Sequence, residues 1–116
     1  MDHFVQSARQ VLADRARDRR ARAAVAAVVM RAHLPALATA LRGECGATEV
    51  WLFGSLAEGR FDIDSDCDLA VAGCDARGFG RALALVGSLP VSCDLVRLET
   101  ASAEMAAIAR AGERLV

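Results

Sequence analysis

Lysine is absent from the 116 residues, so the 14 Lys and Arg positions are all arginine. A carboxylate that folding draws inside must find its counter-charge in an arginine, one of two histidines or a bound cation. With alanine so abundant, the missing lysine reads as a compositional habit and carries no mechanism. The four cysteines lack CxxC spacing and partner histidines, which excludes a zinc site and leaves four free thiols in a reducing, cytoplasmic setting. No signal peptide is evident. No apolar run reads as long enough to span a membrane, since residues 21–30 are bounded by arginines. Repeats and low-complexity linkers are lacking too.

What is present fits one domain with a single core. The expected organisation is a helical extension over residues 1–33 and a core over 34–116. A net charge of -1 is not that of a general nucleic-acid binder or a polybasic membrane protein. The charge is uneven: residues 1–33 carry seven arginines against three aspartates, and the remainder seven arginines against twelve acids.

Residues 2–32 read as one long helix, polar over 14–22, with burial expected where Val25, Val28 and Val29 bring β-branched side chains. Pro35 restarts or kinks it, and residues 35–41 continue to a glycine cap at Gly43 or Gly46. Residues 49–53 (EVWLF) form a strand whose aromatics Trp51 and Phe53 belong to the core. Gly54-Ser55 ends it, with Ser55 near the N-cap of a short turn. A second strand over 67–72, a helix over 79–86 with Phe79, Leu83 and Val86 on one side, and a third strand over 91–98 follow. A helix over 101–110 and a tail that adds a short edge strand close the chain. The fold class is α/β (α+β-like), a small mixed sheet with helices packed against it, preceded by the long helix.

The chemistry concentrates in LFGSLAEGRFDIDSDCDLAV, residues 52–71. Strand alternation puts Asp66 and Asp68 on one side and Cys67 and Leu69 on the other. Two carboxylates that close repel each other unless a cation lies between them or one is protonated. Asp94 sits in the third strand, where the apolar alternation has no use for an acid, and Arg97 falls on the opposite face. A hard divalent ion, Mg²⁺ or Mn²⁺, held together with substrate phosphates resolves the difficulty. Gly54 lets a phosphate approach the backbone, and the Ser55 hydroxyl with the next amides supplies donors. Carboxylates for metal and donors for phosphate together imply phosphoryl or nucleotidyl transfer. Ser65 reads as a turn cap, Asp62 and Asp64 as solvated loop residues, Glu58 and Glu99 as surface, and His3 and His33 as remote from the acids.

Gly54-Ser55, then Asp66-x-Asp68, then a lone strand Asp94, resembles the polymerase-beta-type nucleotidyltransferase superfamily. Within it the chain is similar to the minimal, antitoxin-like MNT nucleotidyltransferases, with their FGSxAxG…SDxDL pattern, over roughly half its length. The resemblance implies a nucleotidyltransferase fold, ATP or another NTP as donor, and two Mg²⁺ ions held by Asp66, Asp68 and Asp94 as metal-binding and catalytic residues. Gly54 and Ser55 would meet the donor phosphates. Family members often carry arginines beside the glycine-serine pair, where this chain has Leu56 and Glu58; Arg60 is the candidate replacement. The long N-terminal helix has no counterpart in the minimal pattern.

The expected activity is transfer of a nucleoside monophosphate, AMP from ATP, to an acceptor hydroxyl with release of pyrophosphate. The resemblance points to a protein acceptor, a small helical HEPN-type toxin; small antibiotics such as aminoglycosides are the other family acceptors. The alternative is an antitoxin that neutralises its partner by binding, with little or no transfer. Self-pairing through the arginine-rich helix is compatible with either.

Overall fold

Alanine, arginine and leucine favour helix most strongly, and they dominate the first third of the chain. In the computed structural model, which describes residues 2–116, they form one helix, α1 (Asp2–Cys45). Pro35 lies inside it without restarting it. The proline only removes the N–H that would have met the Arg31 carbonyl, and the Thr39 hydroxyl donates to the Pro35 carbonyl at 3.0 Å. Gly46, at φ +80°, ends the helix, and the Ala47 N–H turns back to the Leu41 carbonyl at 3.1 Å. A positive φ is strained for any residue with a Cβ, so of the two glycines it is Gly46 that closes the helix.

The buried side of α1 runs Ala23, Met30, Leu34, Leu37, Ala38, Leu41 and Cys45, a three-to-four spacing that faces the sheet. Val25, Val28 and Val29 are exposed, contrary to the burial expected from their branching. Their phase on the helix decides the matter: they fall on the side turned away from Ala23 and Met30. Before Ala23 only Val5 is even half-buried, and apart from the Arg19 side chain, which reaches the loop before β2, this half of α1 projects from the domain. By length and composition α1 also contains an 18-residue window apolar enough to cross a membrane, with mean hydropathy 1.6. Arg31 breaks the apolar run expected to end at residue 30, but the helix continues past it into Leu34–Leu41 as its core-facing end.

Four strands follow: β1 (Glu49–Phe53), β2 (Cys67–Ala72), β3 (Cys93–Arg97) and β4 (Glu113–Arg114). The sheet order is β3-β2-β1-β4, with β1 antiparallel to β2 and β4, and β2 parallel to β3. This is the expected mixed sheet with flanking helices. The third strand is shorter than its apolar run, because Val91 and Ser92 precede the pairing. The tail forms the edge strand, with the Leu115 N–H donating to the Val50 carbonyl at 2.7 Å.

Helix α2 (Gly54–Ala57) follows β1, α3 (Ala76–Gly87) joins β2 to β3, and α4 (Ala103–Arg110) joins β3 to β4. Asp75 caps α3 by accepting from the Gly78 N–H at 2.7 Å, and Ser102 caps α4 by accepting from Met105 at 3.1 Å. Helices α1 and α3 cover one face of the sheet through Leu41, Leu52, Leu69, Val71, Ala82 and Val86. Leu83, expected on that buried side, is exposed; Ala82 takes its place. The other face carries a smaller cluster of Phe53, Ala70, Ala72, Leu98 and Ala109 under α4, with Trp51 half-buried beside it.

Candidate active site

Strand alternation assigns Cys67 and Leu69 to the α1 face, where both are fully buried. Asp68 therefore opens onto the α4 face, at the end of the sheet that α4 leaves uncovered. The β1–β2 register sets Asp68 opposite Phe53, and the parallel β2–β3 register sets it beside Asp94. Asp66 lies one residue before β2 and is exposed. The two clustered aspartates thus share a side but not a strand, since the ladder begins only at Cys67.

Gly54, at φ +72°, gives Asp68 its seat. A Cβ on Gly54 would collide with Asp68 Oδ2 and come within 3.0 Å of its Cγ. Among the described residues, none of the three carboxylates accepts a hydrogen bond from a side chain or forms an ion pair. Burial, then Asp94, then Asp66 push the Asp68 carboxyl above the ordinary carboxylate range. Asp94 and Asp66 are close enough to oppose the ionisation of Asp68, and among the described residues no arginine pairs with any of the three. Among the described residues, no three His, Cys, Asp or Glu side chains are gathered closely enough to hold a metal ion, so the structure does not bring Asp66, Asp68 and Asp94 together as one ligand set. The arrangement offers part of a shell, which suits a hard cation that keeps waters and takes further oxygens from phosphates.

Ser55 is the second residue of α2, not its cap. The cap position is Phe53, which has no side-chain cap bond. Among the described residues the Ser55 hydroxyl makes no hydrogen bond. The Leu56 side chain is buried on the α1 face, so that position contributes nothing charged to the site. Arg60 is paired with Glu58, which engages the guanidinium expected to replace the missing arginines. Phe53, Gly54 and Arg60 border a cleft of about 520 Å³ that reaches Ile108 and Gly112 at the end of α4. A larger cleft, about 830 Å³, lies elsewhere, between α1 and the segment from Leu56 to Asp62.

Asp62 and Asp64 are not free loop acids. Arg19 of α1 donates through Nε to Asp62 at 3.0 Å and through Nη2 to Asp64 at 2.8 Å. Arg19, followed by the Ile63 N–H, holds the Asp62 carboxyl below its ordinary range. Ser65 accepts from the Asp62 N–H at 3.0 Å, the turn expected of it. Arg31 reaches the Leu56 carbonyl at 3.3 Å and Glu113 at 3.3 Å. The two α1 arginines thus hold both ends of the segment that joins Gly54 to Asp66. Sequence reading missed them, and the acid-rich loop facing an arginine-rich helix was the only available signal. Glu99 is likewise more than surface: it accepts from the Gly73 N–H at 2.7 Å.

The model of the nucleotidyltransferase domain family matches residues 34–100, more than half of the chain, and the protein belongs to that family. No curated protein matches it. Among solved structures, the chain is similar to one described as a crystal structure of a toxin-antitoxin with AMP-PNP. That likeness has 24% identity and a TM-score of 0.59, covers 71% of this chain and 72% of the other, and supports the fold.

Proposed function

We propose that the protein is a Mg²⁺-dependent nucleotidyltransferase of the MNT type, moving AMP from ATP to a hydroxyl on a partner protein. The observation that carries this reading is the Asp68–Asp94 register pair: two carboxylates side by side on adjacent strands, uncompensated by any arginine, at the mouth beside Gly54-Ser55. Retaining such a pair costs stability unless a cation and phosphates complete it. Asp66, Asp68 and Asp94 would hold the metal, which supplies charge neutralisation of the triphosphate and a more acidic acceptor hydroxyl. Gly54 keeps the backbone open to the donor phosphates, and the Ser55 hydroxyl and the first α2 amides, which have no acceptor within the helix, meet their oxygens. Asp94 is exposed on the edge strand β3, which supports an acceptor-side role for it. The partner we propose is a small helical HEPN-type toxin, supported by the AMP-PNP-bound toxin-antitoxin assembly that this fold resembles. We place both in the cytoplasm.

Calorimetric titration of ATP with and without Mg²⁺, for the wild type and for Asp68→Asn, tests the site. Binding should require the metal and be lost in the variant; equal ATP binding in EDTA would refute it. A second reading, neutralisation by binding alone, is favoured by one observation: Arg60 is engaged by Glu58 and Leu56 is buried, leaving the triphosphate without an evident arginine. Labelled ATP incubated with the co-expressed partner separates the two. Label on the partner supports transfer, and an unlabelled but silenced partner supports binding alone.

A further inference from the structure

The part of α1 that the domain does not use is patterned. Phe4, Val11, Asp18, Val25 and Ala32 recur every seventh residue, so they lie along one side of the helix. Val25 is 64% exposed and Phe4 80% exposed, although Ala23 and Met30 on the opposite side are buried against the sheet. Val28, Val29 and Leu12 add further exposed apolar surface at the two ends. Between those ends, residues 14–22 are mostly charged and exposed, with Asp14 paired to Arg17, Asp18 to Arg22 at 3.5 Å and, on the opposite side of the helix, Arg19 to Asp62 and Asp64.

The order apolar, charged, apolar is symmetric about Asp18. Val11 and Val25 each lie seven residues from it, and Phe4 and Ala32 each fourteen. We propose that this side of α1 is the interface with a second copy of the chain, the two helices packing antiparallel about a two-fold axis at Asp18. Val11 then packs on the partner's Val25, and Phe4 on the partner's Ala32, twice over by symmetry. Asp14 falls opposite the partner's Arg22, again twice. A parallel pairing stacks like on like along the whole segment, Asp14 on Asp14, Arg15 on Arg15 and Arg22 on Arg22, whereas the antiparallel pairing confines that opposition to Asp18 on its own copy at the axis, where each aspartate has its own Arg22 beside it. Each sheet packs on the far side of its own helix, through Met30, Leu34 and Leu41, and the two domains lie at opposite ends of the pair. The proposal does not depend on the transfer reaction, and a catalytically silent protein would dimerise in the same way.

Light scattering of the full chain across micromolar concentrations tests it, against the monomer mass of 12.2 kDa. The wild type should double that mass. Val25→Glu should weaken association at least about tenfold, because a carboxylate is forced into the apolar contact, while circular dichroism stays unchanged. Val11→Cys mixed with Val25→Cys should form a covalent dimer under mild oxidation. Neither variant should do so alone, since like positions in the antiparallel pair stand about 21 Å apart along the axis. The proposal is overturned by a wild type that stays monomeric, even one that docks on lipid vesicles or another protein instead. A dimer indifferent to Val25→Glu, or self-linking by either cysteine variant alone, overturns it equally.

Discussion

The two faces of the sheet are built to different ends. The face under α1 and α3 is continuous hydrocarbon, with Val50, Leu52, Cys67, Leu69 and Val71 all fully buried. The face under α4 carries small residues, Ala70, Ala72 and Ala109, and then gives way to Asp68 and Asp94. The same two strands, β2 and β3, serve both. Period-two alternation lets one strand place Leu69 in the core and Asp68 in the site with no backbone irregularity. The apolar face is the main source of stability, and the acidic face draws on it, because like charges held together disfavour the folded state.

The sharpest way to break this contrast is Asp94→Asn. Removing a proposed metal ligand and acceptor-side charge should lower transfer by about 10²–10⁴-fold, measured as labelled AMP on the partner. The melting temperature should hold or rise, because one like-charge opposition is gone. A wild-type rate would remove Asp94 from the mechanism. On the opposite face the pattern should invert. Leu69→Ala should cost about 2–5 kcal/mol in urea unfolding, while metal-dependent ATP binding of the remaining folded protein persists.

Acid separates two carboxylates of the α4 face by sign. Asp68 has a raised folded-state pKa, so its ionisation opposes folding, and acidification relieves that cost while weakening Mg²⁺-dependent ATP binding. Glu49 behaves oppositely: hydrogen bonds from Arg110 and then Trp51 lower its pKa from 4.5 to about 2. Its contribution, tying α4 to β1 by Arg110 contacts of 3.0 and 3.1 Å, is complete above pH 4.5 and lost as pH falls toward 2. Glu49→Gln should flatten the stability profile across that window and leave the ATP titration unchanged. The smallest effect belongs to Arg19→Ala. An exposed ion pair adds little to global stability, but release of Asp62 and Asp64 should raise amide exchange across residues 60–66. Unchanged exchange there would show that α1 does not hold this segment.

The strands were legible because their apolar runs are short and bounded, and Asp68 and Asp94 because each acid interrupts such a run. The continuity of α1 was not legible, since a proline inside a helix and one at a restart look alike without the packing around them. Val25, Val28 and Val29 misled because branching indicates a preference for packed surroundings but says nothing of helix phase. The Arg19 clamp spans 43 positions to Asp62, a distance at which no local pattern reports a contact. Leu83 and Ala82 are adjacent, and a one-residue error in phase exchanges them.

Gly54 opens α2 and Asp68 lies on β2, yet a Cβ at position 54 would meet the carboxylate at position 68, so the glycine decides where that carboxylate can sit. The two positions are therefore heritable only as a pair. In a saturation library scored for transfer, position 54 should tolerate glycine alone. Scored for folding in an Asp68→Gly background, it should begin to admit alanine, limited then only by its positive φ. A site defined by a missing methyl group can be lost in one step and regained in one step. It cannot drift through intermediates, because no side chain at position 54 is small enough to be half compatible.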